Sequence, residues 1–136
     1  MVSTVHHRVP FYETDAMGIV HHSNTVRYME IARVAWLEEH DQPYTAYIES
    51  GHHFATTRVE VDYLRAVRFD DVVAVTVWLD WVRHASLQMA YELCVNGLPV
   101  ATGATEHAAV DDTGRAVRMP RERRDAMRKL ALRRGP

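Results

Sequence analysis

The chain has few of the features that mark several protein classes. It contains one cysteine, Cys94, so it cannot form an internal disulfide, and a reducing cytoplasm is the expected location. No apolar run reaches the ~20 residues of a membrane-spanning helix, and the first ten residues lack the apolar core of a signal peptide. The net charge of -2 argues against a general nucleic-acid binder. We therefore expect neither membrane insertion nor nucleic-acid binding.

The length and composition suit one folded domain over residues 1–136. The sequence is 47% hydrophobic and 25% charged, as is usual for globular proteins. A chain of this length can bury roughly two-thirds of its unfolded surface, which is enough for a core. No repeat, low-complexity tract or linker divides it.

Positive charge is concentrated near the C-terminus. Between Arg121 and Arg134 there are seven Arg and Lys residues and two acids. This pattern is typical of a solvated helix, and the alternative is a patch that meets a phosphate-bearing ligand.

Hydrophobic periodicity predicts one long helix and several strands. The period is helical in Asn24–Glu39 and becomes two in the segments that follow. Asn96-Gly97 is a strong hairpin signal, because both turn positions need positive φ. The predicted strands are Val5–Tyr12, Thr57–Tyr63, Asp71–Val82 (expected to be buried on both faces), Leu87–Val95 and Leu98–Val110, and Pro120 is expected to begin a last helix. The fold class is therefore α+β, with one helix facing one antiparallel sheet whose edges dimerisation would cover.

The predicted helix has a broad apolar arc. Ser23 or Asn24 is expected to cap its start, and Glu30 and Arg33 are spaced for an i,i+3 ion pair. The arc comprises Tyr28, Met29, Ile31, Ala32, Ala35 and Trp36, with Arg27, Glu30, Arg33 and Glu38 on the other side.

The connection from Glu13 to Asn24 contains the strongest candidate site. Asp15 has two interpretations, and one is a carboxylate that only caps a turn by accepting backbone N–H groups. The other is a base or nucleophile beside the unpaired N–H groups at the helix start, with Gly18 allowing close backbone approach. Such donors can stabilise an oxyanion, as acyl transfer requires.

Metal and nucleophilic-triad chemistry have little support. His21 and His22 are adjacent and project in different directions, and the sequence contains no His-Glu-x-x-His or Cys-x-x-Cys motif. There is no Gly-x-Ser-x-Gly, and Cys94 lies within an alternating strand. Nucleotide-binding glycine motifs are also absent from the sequence. We expect no metal and no cofactor.

The segment from Phe11 to Glu39 resembles the signature of the hotdog-fold acyl-CoA thioesterases. The resemblance is to the branch typified by 4-hydroxybenzoyl-CoA thioesterase and the Tol–Pal-associated thioesterase. An acid-Thr-Asp is followed by Gly, a small apolar pair, His and Asn, and then the long helix. Val59–Asp71 and Arg83–Leu93 are further similarities. The resemblance implies a hotdog fold, in which an antiparallel sheet wraps around a long central helix. It also implies an acyl-CoA substrate, and a homodimer or homotetramer with active sites at the subunit interface.

Residue by residue, the resemblance implies a catalytic Asp15, as nucleophile or general base. The backbone N–H near His22 would polarise the thioester carbonyl, and the His22 side chain would orient substrate or water. Substrate-binding positions would be Gly18, Asn24, Thr25, Arg83 and Ser86. Thr25 departs from the branch, which commonly has Tyr there, and this change is expected to reshape the acyl pocket.

Three other functions compete with a thioesterase. A non-catalytic acyl-CoA-binding module on the same fold would use Asp15 only as a turn residue. A hotdog dehydratase would need a catalytic His and an acid in motifs that this sequence lacks. The last alternative is a purely structural dimer.

Overall fold

The computed structural model describes residues 1–132. Arg133 and Arg134, the last two residues of the basic C-terminal segment, lie outside the described part. Within the described residues, five strands, three α-helices and one 3-10 helix follow one another. In order they are β1 (Val2–Arg8), the 3-10 helix (Phe11–Glu13), α1 (His22–His40), α2 (Tyr44–Glu49), β2 (His53–Tyr63), β3 (Val72–Val82), β4 (Ser86–Val95), β5 (Leu98–Val110) and α3 (Arg121–Leu130).

The strands form a single antiparallel sheet in the order β1-β3-β4-β5-β2. The β4–β5 hairpin turns at Asn96 and Gly97, both with positive φ (49° and 78°), as the sequence predicts. This turn pairs Val95 with Leu98 and so determines the register of the central strands. β1 and β2 are the two edges.

One face of the sheet carries the core. In β3, Val73, Val75, Val77 and Leu79 are buried, whereas Ala74, Thr76 and Trp78 are partly exposed. The expectation that β3 is buried on both faces is therefore wrong for the single chain, where only the inner face meets α1. Leu87, Met89 and Leu93 of β4 complete the same layer. Because side chains alternate along a strand, a shift of one residue would expose this entire set.

The predicted helix corresponds to α1, but two positions were assigned to the wrong side. Ile31 is exposed, and Arg33 is buried at 8% exposure. Arg33 can lie inside because it points at polar residues of the sheet, where its Nη1 lies 3.4 Å from His107 Nδ1. The expected ion pair with Glu30 is present at 3.6 Å.

α1 approaches the sheet closely at Gly103 of β5. A Cβ at this position would lie 2.4 Å from Met29 Cε and 2.7 Å from the Glu60 carbonyl oxygen. Because the second neighbour is backbone, it cannot move aside as a side chain does. Gly103 therefore allows Met29 to lie fully buried between α1 and the sheet.

The basic C-terminal helix is attached to the rest of the chain. Met127 is fully buried in the core. Arg123 Nη1 lies 3.3 Å from Asp41 Oδ1, and the Tyr47 hydroxyl donates to the other carboxylate oxygen. Burial raises the pKa of Asp41 above its ordinary value, against these stabilising contacts. α3 begins at Arg121, one residue later than the sequence predicts, with Pro120 as its N-cap.

Candidate active site

Asp15 lies in a tight turn between the 3-10 helix and α1. The predicted first strand does not reach it, because β1 ends at Arg8 and a 3-10 helix with Pro10 as its N-cap begins at Phe11. The Gly18 N–H donates to the Asp15 carbonyl at 2.9 Å, and Gly18 has the positive φ (77°) expected of it. The Asp15 N–H in turn donates to the Ile19 carbonyl at 2.8 Å. The turn is thus closed on both sides by backbone hydrogen bonds.

The Asp15 carboxylate takes part in this turn with one oxygen. Its Oδ1 accepts the Met17 N–H at 2.9 Å, as in an Asx turn. The other oxygen, Oδ2, accepts no hydrogen bond from residues 1–132. One Asp15 oxygen therefore stabilises the turn, and the other is not engaged by the described residues.

α1 begins two residues earlier than expected, and a different residue caps it. His21 is the N-cap, and its Nδ1 accepts the Ser23 N–H at 3.2 Å. The prediction of Ser23 or Asn24 as cap is therefore wrong. The N–H of His22, the first residue of the helix, has no acceptor among the described residues. It is a backbone donor at the positive end of the helix dipole, as an oxyanion site requires.

A cavity of about 370 Å³ opens beside this turn. Asp15, His22 and Thr25 line it, so the structure brings three of the predicted site residues together. Most of the remaining wall is apolar, a surface suited to an acyl group. The apolar lining comes from Ile19, Val20, Val67, Val73, Leu93, Val100 and others, with Arg65 also contributing.

Two tyrosines line the cavity and connect its surrounding elements through hydrogen bonds. The Tyr63 hydroxyl donates to the His22 carbonyl at 2.8 Å, which connects β2 to the start of α1. The Tyr28 hydroxyl donates to Glu13 Oε1 at 2.7 Å. Burial, followed by that hydrogen bond to a carboxylate, raises the pKa of Tyr28 well above its ordinary value. Tyr28 therefore stays a phenol and a donor.

Four other predicted positions do not line the cavity in this chain. Gly18 shapes the turn, and buried Asn24 donates its side-chain N–H to the Glu13 carbonyl at 2.9 Å. Arg83 and Ser86 lie at the β3–β4 hairpin, at the end of these strands that is opposite to the cavity. There the Arg83 N–H donates to the Ser86 carbonyl. The Arg83 guanidinium lies 4.2 Å from the centre of the Trp81 ring. A single chain thus does not bring Arg83 or Ser86 to Asp15.

Sequence reasoning missed the cluster beneath the turn. Glu13 is buried at 8% exposure, and its Oε1 lies 2.8 Å from His7 Nε2 as well as close to Tyr28. An acid two residues before Asp15 is visible in the sequence. Its partners His7 and Tyr28 cannot be identified from the sequence, because they lie on β1 and α1, six residues before Glu13 and fifteen residues after it.

The histidines do not form a metal centre within residues 1–132, where no group of three or more His, Cys, Asp or Glu residues could hold an ion. The rings of His21 and His22 stack at 4.1 Å between centroids, so the expectation that these two side chains project in different directions is wrong. No described helix is long and apolar enough to cross a membrane.

Comparison with protein-family models identifies the family of this chain. The family model described as the Thioesterase-like superfamily matches residues 9–129. The chain belongs to the thioesterase-like superfamily. This membership agrees with the resemblance to hotdog thioesterases and confirms the expected enzyme class, a thioester hydrolase.

Individual thioesterase-like relatives support this membership. A putative esterase of Aquifex aeolicus is 35% identical over 115 residues, covering 85% of this chain and 89% of the relative. A 1,4-dihydroxy-2-naphthoyl-CoA hydrolase of Synechococcus is 28% identical over 105 residues, covering 74% and 80%. The crystal structure of a Thermus thermophilus thioesterase with coenzyme A and zinc is 31% identical, covers 96% of this chain and 94% of that one, and has a TM-score of 0.81.

Proposed function

We propose that this chain hydrolyses an acyl-CoA thioester to a free acid and coenzyme A. The observation that carries the proposal is the cavity beside the start of α1, where Asp15, His22 and an apolar wall come together. The relatives named above include a naphthoyl-CoA hydrolase and a thioesterase solved with coenzyme A. The narrower assignment, to the branch of 4-hydroxybenzoyl-CoA and Tol–Pal-associated thioesterases, is part of this proposal, as is a single domain over residues 1–136. A lone cysteine, free in the structure, favours a cytoplasmic location.

The proposed mechanism needs only groups already on the chain. The acyl group lies against the apolar wall, and the thioester carbonyl oxygen accepts the His22 N–H. Asp15 Oδ2 either removes a proton from an attacking water or attacks the carbonyl carbon itself, forming an anhydride that water then hydrolyses. In both routes the negative charge on the carbonyl oxygen develops beside the helix start. Loss of the thiolate breaks the C–S bond and releases coenzyme A. The His22 side chain orients substrate or water, since His22 is one of the residues that line the cavity.

A homodimer, alone or within a tetramer, completes the proposal. β2 has an exposed free edge of eleven residues, and Val59 and Tyr63 on it are exposed. Arg83 and Ser86, with Gly18, Asn24 and Thr25, are the proposed substrate contacts. Because Arg83 and Ser86 lie far along the sheet from Asp15 in one chain, a second subunit would have to supply them.

The second candidate is an acyl-CoA-binding module without catalysis. The specific observation in its favour is the Asx turn, in which Asp15 Oδ1 already accepts the Met17 N–H. In that case the same cavity would hold an acyl group, and Asp15 would serve the turn alone.

Thiol release from a panel of short, long, branched and aromatic acyl-CoAs separates the two candidates. We expect turnover of at least one member, and Asp15→Asn should lower kcat by roughly 10²-fold or more, as removal of a positioned base or nucleophile does. The exposed Asp112→Asn is a control for the loss of one negative charge. Binding without turnover across the panel would support the non-catalytic module, and a wild-type kcat in Asp15→Asn would exclude its catalytic role.

A further inference from the structure

Glu13 connects the three segments that surround the candidate site. Its side chain lies on the 3-10 helix and contacts β1 through His7 and α1 through Tyr28, both at the same oxygen, Oε1. The rings of His7 and Tyr28 are themselves in contact, with centroids 4.5 Å apart. The carboxylate is thus enclosed by groups from two different elements.

The Glu13 main chain makes a second set of contacts. Its carbonyl accepts the His21 N–H at 2.9 Å and the Asn24 side-chain N–H at 2.9 Å. His21 directly precedes His22, whose N–H is the proposed oxyanion donor. Glu13 is therefore two positions before Asp15, and it is also hydrogen-bonded to the N–H of His21, the residue directly before the proposed donor His22.

We propose that Glu13 is a positioning residue that holds the Asp15 carboxylate and the His22 N–H in one catalytic geometry. The inference rests on the proposed thioesterase function. Its physical basis is contact at both ends of the turn from Thr14 to Val20. Glu13 directly precedes this turn and is held by His7 and Tyr28, and its carbonyl accepts the N–H of His21, which directly follows the turn. Misplacing a reacting group by about 1 Å can reduce turnover 10²-fold.

The Glu13 cluster has a structural counterpart at the other end of α1. Asp41 is likewise a buried carboxylate that accepts a tyrosine hydroxyl, from Tyr47, and a second cationic or basic partner, Arg123. It follows the last residue of a helix 19 residues long, so it lies about 28 Å along the axis from the catalytic end. Asp41→Asn therefore removes a comparable buried charge without touching the site.

The experiment measures kcat and KM for Glu13→Gln, Glu13→Ala and Asp41→Asn with benzoyl-CoA and decanoyl-CoA, well below each variant's Tm. We expect kcat to fall about tenfold or more in Glu13→Ala with a smaller change in KM, because the groups it positions act in the transition state. Glu13→Gln keeps an acceptor for Tyr28 and should retain more kcat than Glu13→Ala. Asp41→Asn should lower Tm and keep kcat.

Backbone hydrogen exchange gives a measure that does not depend on activity. In Glu13→Ala, and to a lesser extent in Glu13→Gln, the Asp15 and His21 amides should exchange at least tenfold faster than in wild type, and in Asp41→Asn they should not. If either kcat or these exchange rates stay at wild-type values in both Glu13 variants, the proposal is overturned. If the wild type hydrolyses neither acyl-CoA, the thioesterase proposal fails for these substrates, and the exchange rates alone then decide whether Glu13 holds the turn.

Discussion

Thr25 determines how much room the candidate cavity offers on the side of α1. It is buried at 7% exposure and lines the cavity close to the proposed oxyanion donor. It stands where the resembling branch commonly has a tyrosine. A ring at this position would occupy part of the space that the threonine leaves open.

We expect Thr25→Tyr to change which acyl groups are accepted. Turnover of benzoyl-CoA or decanoyl-CoA should fall about tenfold or more relative to acetyl-CoA, because overfilling a packed site costs ~1–3 kcal/mol. The measurement is kcat/KM for each thioester. Thr25→Val, which keeps the volume, should leave the ratio near that of the wild type. An unchanged ratio in Thr25→Tyr would show that the acyl group does not approach this wall.

The helix and the sheet meet through a buried polar network as well as through the apolar core. His107 of β5 is 1% exposed and lies between Arg33 of α1 and two threonines. Its Nε2 is 2.7 Å from the Thr105 hydroxyl, which in turn is 2.7 Å from the Tyr91 hydroxyl. Because Arg33 is always a donor, His107 Nδ1 must accept from it, so Nε2 carries the proton.

Burial, and then the Arg33 charge, lower the pKa of His107 from 6.5 to about 3. The folded protein therefore keeps His107 neutral at a pH where the unfolded chain binds a proton. The stability that this residue contributes is fully present above pH 6.5 and is lost as the pH falls from 6.5 toward 3, by about 1.4 kcal/mol per pH unit. This loss of stability arises at the contact between α1 and β5, because His107 is buried there and Arg33 approaches it there.

Urea unfolding of wild type and His107→Gln at pH 7 and pH 5, at one protein concentration, tests this difference. Other groups titrate alike in both proteins, so the wild type should lose about 2 kcal/mol more over this interval. His6→Gln, at an exposed position of β1, should behave as the wild type does. Equal losses in wild type and His107→Gln would mean that His107 is accessible to protons in the folded state.

The whole molecule leaves apolar surface and a strand edge uncovered in the single chain. Ile31 and Val34 of α1 and Val59 of β2 are exposed. Exposed apolar groups beside unpaired strand backbone favour association with a second copy.

Light scattering should therefore give a mass of at least twice the chain mass of 15.6 kDa at micromolar concentration. Val59→Lys places a charge on the β2 edge and should weaken the assembly. Leu98→Lys, at an exposed position of β5 directly after the β4–β5 turn and away from the β2 edge, is the matched control and should not. A clean wild-type monomer would contradict both the dimer and any contribution of Arg83 or Ser86 from a partner.

Local chemistry explains why much of the site was accessible from the sequence. An Asp followed three residues later by Gly, just before an amphipathic segment, predicts a turn at a helix start. The turn and the helix start both depend on the backbone of neighbouring residues, so the local sequence is enough to predict them. The Asn96-Gly97 hairpin and the alternation in β4 are local in the same sense. Ile31 and Arg33 were misassigned because a helical wheel shows which residues share a side, and only the sheet decides which side is buried.

By itself, the sequence determined the α+β composition, the hairpin register and the placement of Asp15, Gly18 and His22 around one turn. Only the tertiary structure decided that Asp15, His22 and Thr25 line one cavity, whereas Gly18, Arg83 and Ser86 do not. It also decided that Glu13 lies between His7 and Tyr28. Backbone preferences act over a few residues, whereas burial and hydrogen bonding of these side chains depend on strands and helices that are distant along the chain.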